Sequence, residues 1–93
     1  MASSTLFLLP QRLPAPARRL EAWLCPGDQL LVLEDGVYNL ALSRPEGVNG
    51  FALAADCEAR GVESPWPTLD DAAFVVLAAT ADRVVTLTPS LLA

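Results

Sequence analysis

The apolar positions of this 93-residue chain fall into short continuous runs, broken by proline, glycine and acidic residues. Residues 30–33 (Leu-Leu-Val-Leu) are uninterrupted rather than alternating, which predicts a strand covered on both faces, as in a parallel sheet. The run stops at Glu34, Asp35 and Gly36, and apolar residues at 37, 38, 40, 41 and 42 then start a new segment: strand, acidic turn, helix. Residues 5–9 predict an earlier strand, ended by Pro10, which has no amide to donate. Apolar positions 17, 20, 23 and 24 predict a helix over 17–24, closed by Pro26-Gly27-Asp28.

Further along, residues 43–50 read as a loop and 51–54 as a third strand. Asp56 is the expected N-cap of a short helix through Arg60, with Gly61 as its exit residue. Residues 62–67 form a connector with room for a short edge strand. Thr68 and Asp71 resemble a capping box ahead of the apolar run 72–79, the expected last helix. A closing strand is expected at 84–87 and a tail at 89–93. Strands alternating with helices predict a single α/β domain over residues 1–93 with a mainly parallel sheet. In open sheets of this kind ligands and partners gather at the carboxyl ends of the strands, so the acidic turn is the first place to look for function.

Composition adds a partner to this picture. The chain is 53% hydrophobic and 18% charged, with a mean hydropathy of +0.38. A domain this small exposes a large share of its residues, so some apolar surface is expected to face another subunit. A chain merely rich in Leu and Ala is the plainer reading. The net charge of −5, with six Arg, no Lys and eleven Asp plus Glu, opposes direct nucleic-acid binding, which needs clustered cations. Residues 1–10 carry no cation before their short Leu run, so they fail as a secretory signal. Residues 72–81 are too short to span a bilayer. A cytoplasmic location without membrane contact is therefore expected.

Two cysteines without CxxC spacing and no histidine at all argue against a structural zinc site and a Ser-His or Cys-His nucleophile. The lack of GxGxxG and GxxxxGK leaves nucleotide or flavin binding unsupported, and no cofactor or metal is expected. The sharpest chemistry on offer is a persulfide-carrying thiol, which must be accessible and substantially ionised. Cys57 lies at an expected helix start, which favours the thiolate, but Asp56 and Glu58 flank it and oppose ionisation. Cys25 lies at an expected helix end, where the dipole disfavours a thiolate. Glu34 and Asp35 are adjacent and point to opposite sides, so a turn role for Asp35-Gly36 outweighs acid/base or metal chemistry. Tyr38 is equally readable as an interface or a core residue. Trp23 and Trp66 are hot-spot types whose plainer role is core packing. Phe74, Val75 and Leu77 make the last helix apolar round most of its surface, as expected of a helix buried on more than one side.

The phrases Gly27-Asp28 and Glu34-Asp35-Gly36-Val37-Tyr38, around an apolar strand, resemble the TusB/DsrH family of bacterial sulfur-relay subunits. Asp56 followed by Glu58-Ala59-Arg60-Gly61-Val62 is similar to that family's D-x-x-A-R-G-[LV] turn, and residues 69–77 resemble its final helix. The likeness runs over residues 27–87, and the Leu33-Glu34-Asp35-Gly36-Val37 phrase is its most specific part. It implies a flavodoxin-like, DsrE-type three-layer domain. It also implies a non-catalytic subunit, with paralogous α/β partners of the TusC/TusD or DsrF/DsrE type, in a complex that passes persulfide sulfur toward 2-thiouridine at the tRNA wobble position or serves sulfur oxidation. The turn residues Asp35, Gly36, Val37 and Tyr38 are then interface candidates. Some relatives carry a functional cysteine ahead of the Gly-Asp turn, but Cys25 is too close to that turn to match it, and the equivalent position near Leu20 is not a cysteine. The alternatives are a sulfur carrier that accepts persulfide on Cys57 or Cys25, and a homo-oligomeric α/β interaction module.

Overall fold

The two strands at the centre of the sheet set the layout. In a computed structural model of the chain, which describes residues 5–12, 23–41 and 47–87, β1 (Thr5–Leu9) and β2 (Gln29–Val32) pair in parallel, Phe7 with Leu30 and Leu9 with Val32. Side chains alternate across a strand, so Phe7, Leu9, Leu30 and Val32 line one face while Leu6 and Leu31 line the other. All six are buried. Burial on both faces is the physical reason these strands read as unbroken apolar runs.

Three further strands, β3 (Asn49–Leu53), β4 (Thr68–Leu69) and β5 (Arg83–Thr86), complete a five-stranded sheet in the order β4-β3-β2-β1-β5. Every pairing is parallel. The chain walks one strand at a time from β1 to β4, then jumps back past β1 to place β5. Because crossovers are right-handed, the helices of the walk share one face and the helix of the return takes the other. On the first face, the 3-10 helix Glu34–Ala41 and α1 (Ala54–Arg60) bring Val37, Leu40 and Cys57 against Phe7, Leu9, Leu30, Val32 and Ala52. The return helix α2 (Asp71–Thr80) takes the second face, that of Leu6, Leu31 and Leu53. The architecture is α/β, a small layered domain of flavodoxin-like type, with the reversal of strand order between β1 and β5.

Several local expectations give way to tertiary demands. The segment after β2 is a 3-10 helix that begins at Glu34, so the acidic turn belongs to the helix. α1 starts at Ala54, directly after β3, with extended Leu53 as its N-cap and no side-chain cap. Asp56 is therefore not the cap: it lies within the first turn, and its carboxylate accepts the Glu34 amide instead at 2.8 Å. Gly61 closes α1 in the left-handed conformation, as expected of an exit glycine (φ 63°). The cap of α2 is Asp70, which accepts the Ala73 amide at 2.7 Å, and not Thr68. Thr68 is drawn into β4 beside Ala52, which puts the edge strand after the 62–67 connector. β3 begins at Asn49, inside the expected 43–50 loop.

Of the predicted 17–24 helix only Trp23 and Leu24 fall within the described residues, and the 89–93 tail falls outside them. No helix among the described residues is long and apolar enough to cross a membrane.

Gly36 is the tightest backbone contact in this frame. A Cβ at that position would overlap the Leu9 carbonyl oxygen at the end of β1. Since the obstacle is backbone rather than a movable side chain, Gly36→Ala is expected to destabilise the domain by about 3 kcal/mol, read as a lower midpoint in chemical denaturation.

Candidate functional site

The carboxyl edge of the sheet carries the acidic turn. β2 ends at Val32, and two residues later Glu34 takes a left-handed backbone conformation (φ 51°), which a residue with a Cβ adopts only at a cost of roughly 1–3 kcal/mol. The amide of Glu34 is held by Asp56 of α1, and the amide of Gly36 donates to the Leu33 carbonyl at 2.8 Å. Arg60, one turn beyond Asp56, donates through Nε to Asp35 at 3.0 Å and through a terminal nitrogen to Asp56 at 3.4 Å. The hydrogen bond to Asp35 is the main cause holding the Arg60 guanidinium above its ordinary range; burial opposes it, and the nearby Asp35 and Asp56 charges add to it. Two elements more than twenty residues apart are thereby clamped together at the strand ends.

The four turn residues divide into two kinds. Gly36 and Val37 are buried and structural, Gly36 against β1 and Val37 in the core. Asp35 and Tyr38 face solvent. The Tyr38 ring lies 6.0 Å from the Arg12 guanidinium, within cation–π range at an exposed site. Asn39, buried beneath, donates to the Gln11 carbonyl at 2.8 Å and so ties the 3-10 helix to the chain leaving β1. The arrangement presents Asp35, Tyr38 and Arg12 above the carboxyl ends of β1 and β2, the edge where open sheets bind ligands and partners. Such a set suits protein contact. Among the described residues no three of Asp, Glu and Cys converge as metal ligands.

Cys57 sits in the core with 5% of its surface exposed. It borders a groove of about 410 Å³ between α1 and the connector, together with Glu58, Ser64 and Thr68. Burial pushes its thiol pKa up, and the Asp56 charge pushes it further in the same direction. The helix-start effect expected to favour the thiolate is outweighed, because the position is one turn into a seven-residue helix and faces inward. Cys25 is exposed, and its amide donates to Asp28 at 2.9 Å in the turn that precedes β2 at the opposite edge of the sheet. The two thiols do not share a site.

Exposed apolar side chains concentrate elsewhere. Val75 and Val76 on α2 are 63% and 61% exposed, and no residue of α2 is buried. Phe74 and Leu77, half-buried, supply the inward face. Val84 of β5 is exposed, as is Trp23, whereas Trp66 packs partly buried against the core. Asp56 and Arg60 as partners of the acidic turn were not legible beforehand, because no local spacing links residues 25 apart; the one available signal was the four-residue interval between Asp56 and Arg60.

No protein-family model matches the chain, and no curated protein matches it either. Among solved structures it is similar to the solution NMR structure of protein Tm0979 from Thermotoga maritima, with a TM-score of 0.66 and 20% identity over 81% of this chain and 91% of that one. At that identity the likeness establishes a shared small α/β fold.

Asp56→Ala removes the acceptor of the Glu34 amide and is expected to lower stability by about 1 kcal/mol, whereas Asp35→Asn, at an exposed position, is expected to leave the denaturation midpoint unchanged. Cys57 gives a pH signature. Its folded pKa lies above that of the unfolded thiol, so its contribution to stability is fully present below about pH 8.5 and is lost as pH rises from there through the folded pKa. Stability measured from neutral to alkaline pH is expected to fall less steeply in Cys57→Ala than in the native chain.

Proposed function

We propose that this chain is a non-catalytic subunit of a hetero-oligomeric sulfur-relay complex of the TusB/DsrH type, serving 2-thiouridine formation at the tRNA wobble position. The observation that carries this reading is Cys57: it is buried and its thiol is pushed toward the protonated form, the reverse of what a sulfur acceptor requires. Persulfide is then carried on a cysteine of a paralogous α/β partner of the TusC/TusD or DsrF/DsrE type, and this chain supplies a surface that positions that partner. The motif resemblance across residues 27–87 supports the family, and the small parallel α/β fold agrees with it.

The surface best suited to that work is the carboxyl edge. Asp35, Tyr38 and Arg12 stand there on backbone held by Asp56, Arg60 and the Gly36 contact. Aromatic and arginine side chains in this setting are the residue types that dominate subunit contacts. The net charge of −5 keeps tRNA off this subunit and leaves nucleic-acid contact to others in the complex. The location that follows is the cytoplasm.

Affinity purification from the native cell, with mass spectrometry of co-purifying proteins and of cysteine persulfides, tests the reading. Small α/β partners bearing persulfide on their own cysteines are expected, with Cys25 and Cys57 unmodified and 2-thiouridine levels intact when Cys57→Ser replaces the native chain. Persulfide on Cys57 or Cys25 transfers the carrier role to this chain, and purification without any sulfur-transfer protein overturns the assignment.

A further inference from the structure

One flank of α1 borders open space. Ala54, Cys57, Glu58 and Gly61 fall at i, i+3, i+4 and i+7, a single stripe along the helix and its exit, and they form one wall of the groove of about 410 Å³ that the connector closes on the other side. A volume of that size suits a small molecule. Successive helical residues advance by about 100°, so the stripe lies well round α1 from Asp56 and Arg60, which are engaged with the acidic turn. Gly61 keeps the groove open at the helix exit, where a Cβ would meet no atom within 4 Å.

The lining selects the chemistry of what can enter. Cys57 is the innermost residue, 5% exposed, and its free thiol has no hydrogen-bond partner among the described residues. Half-buried Ala54 and Val62 lie beside it and make the inner surface apolar. Glu58 and Glu63 are exposed, and neither has an ion pair among the described residues. No cation lines the groove, so an anion is repelled. A neutral polar ligand finds little to bond, because the Ser64 hydroxyl already donates to the Trp66 carbonyl at 2.8 Å and accepts the Trp66 amide at 3.1 Å. A divalent metal ion needs converging oxygen ligands, and no three of Asp, Glu and Cys converge among the described residues. An organic cation satisfies both surfaces. We infer that this groove binds a small primary amine on a short alkyl chain, with its ammonium toward the carboxylates of Glu58 and Glu63 and its chain against Ala54, Val62 and Cys57. The thiol gives the chain a soft, polarizable contact, and the net charge of −5 raises the local concentration of cations. Because the groove and the acidic turn occupy different flanks of α1, the site stands apart from the sulfur-relay reading.

Amide NMR of the isotope-labelled full chain, titrated with n-butylammonium chloride, tests the inference. Saturable shifts are expected at Cys57, Glu58, Gly61 and Glu63, with a dissociation constant on the order of 1 mM, and n-butanol, which has the same chain without the charge, is expected to give none. The double variant Glu58→Gln/Glu63→Gln, altered only at exposed positions, is expected to keep the same dispersed spectrum and to bind about tenfold more weakly. Absence of saturable shifts at the groove, equal shifts from n-butanol, or undiminished binding by the double variant overturns the inference. Tighter binding of N-acetyl-lysine methylamide than of n-butylammonium also overturns it, by making the occupant a lysine of a partner protein. None of these results alters which subunit carries persulfide, so the proposed function stands or falls separately.

Discussion

A parallel sheet must be covered on both faces, and in 93 residues that requirement shapes everything else. β1 and β2 run through the middle, with Phe7, Leu9, Leu30 and Val32 on one side and Leu6 and Leu31 on the other. The first face receives the 3-10 helix and α1, whose Val37, Leu40 and Cys57 close the core. The second face receives α2. No residue of α2 is fully buried, although the helix is apolar on nearly every side. A helix hydrophobic all round is ordinarily enclosed. Here its outer surface lies open, so the apolar excess visible in the composition has a definite address.

The acidic turn shows how a site is made rigid by groups that do no chemistry themselves. Glu34 holds a left-handed backbone that its side chain disfavours, and Asp56 offsets that strain by accepting its amide. Arg60 bridges Asp56 to Asp35, and Gly36 lies where only a hydrogen fits against the Leu9 carbonyl. The exposed ion pair contributes little by itself. Its effect is to join the end of β2 to α1, so that Asp35 and Tyr38 stand on fixed backbone. Cys57 belongs to the same helix, and the inward turn that places Asp56 at the edge buries the thiol. Support of the turn and burial of the thiol have one structural cause.

Much of the fold was legible from pattern alone. The continuous runs at residues 5–9 and 30–33 read as strands, the second as one covered on both faces, and Gly61 could be read as a helix exit because the left-handed conformation suits a residue without a Cβ. The α/β alternation and the parallel sheet follow from those runs and the spacing between them. The misplaced caps have a common origin. Local signals made Asp56 and Thr68 caps, but β3 runs straight into α1 and β4 captures Thr68 by pairing with Ala52. A backbone hydrogen-bond ladder outweighs a single side-chain cap, and no local pattern reveals where a strand will find its neighbour.

The sequence by itself determined the α/β class, the buried central strands, the acidic break at Glu34-Asp35-Gly36 and the surplus of apolar surface, because each is a property of residues close together in the chain. Only the tertiary structure decided that Arg60 and Asp56 serve the acidic turn, that Asp35 and Tyr38 face outward while Gly36 and Val37 face inward, that Cys57 is buried with its thiol pKa pushed up, and that α2 leaves its valines exposed. These are matters of contact between segments more than twenty residues apart. The physical reason is that burial and charge pairing depend on which surfaces meet, and that is settled by how distant segments pack across the sheet.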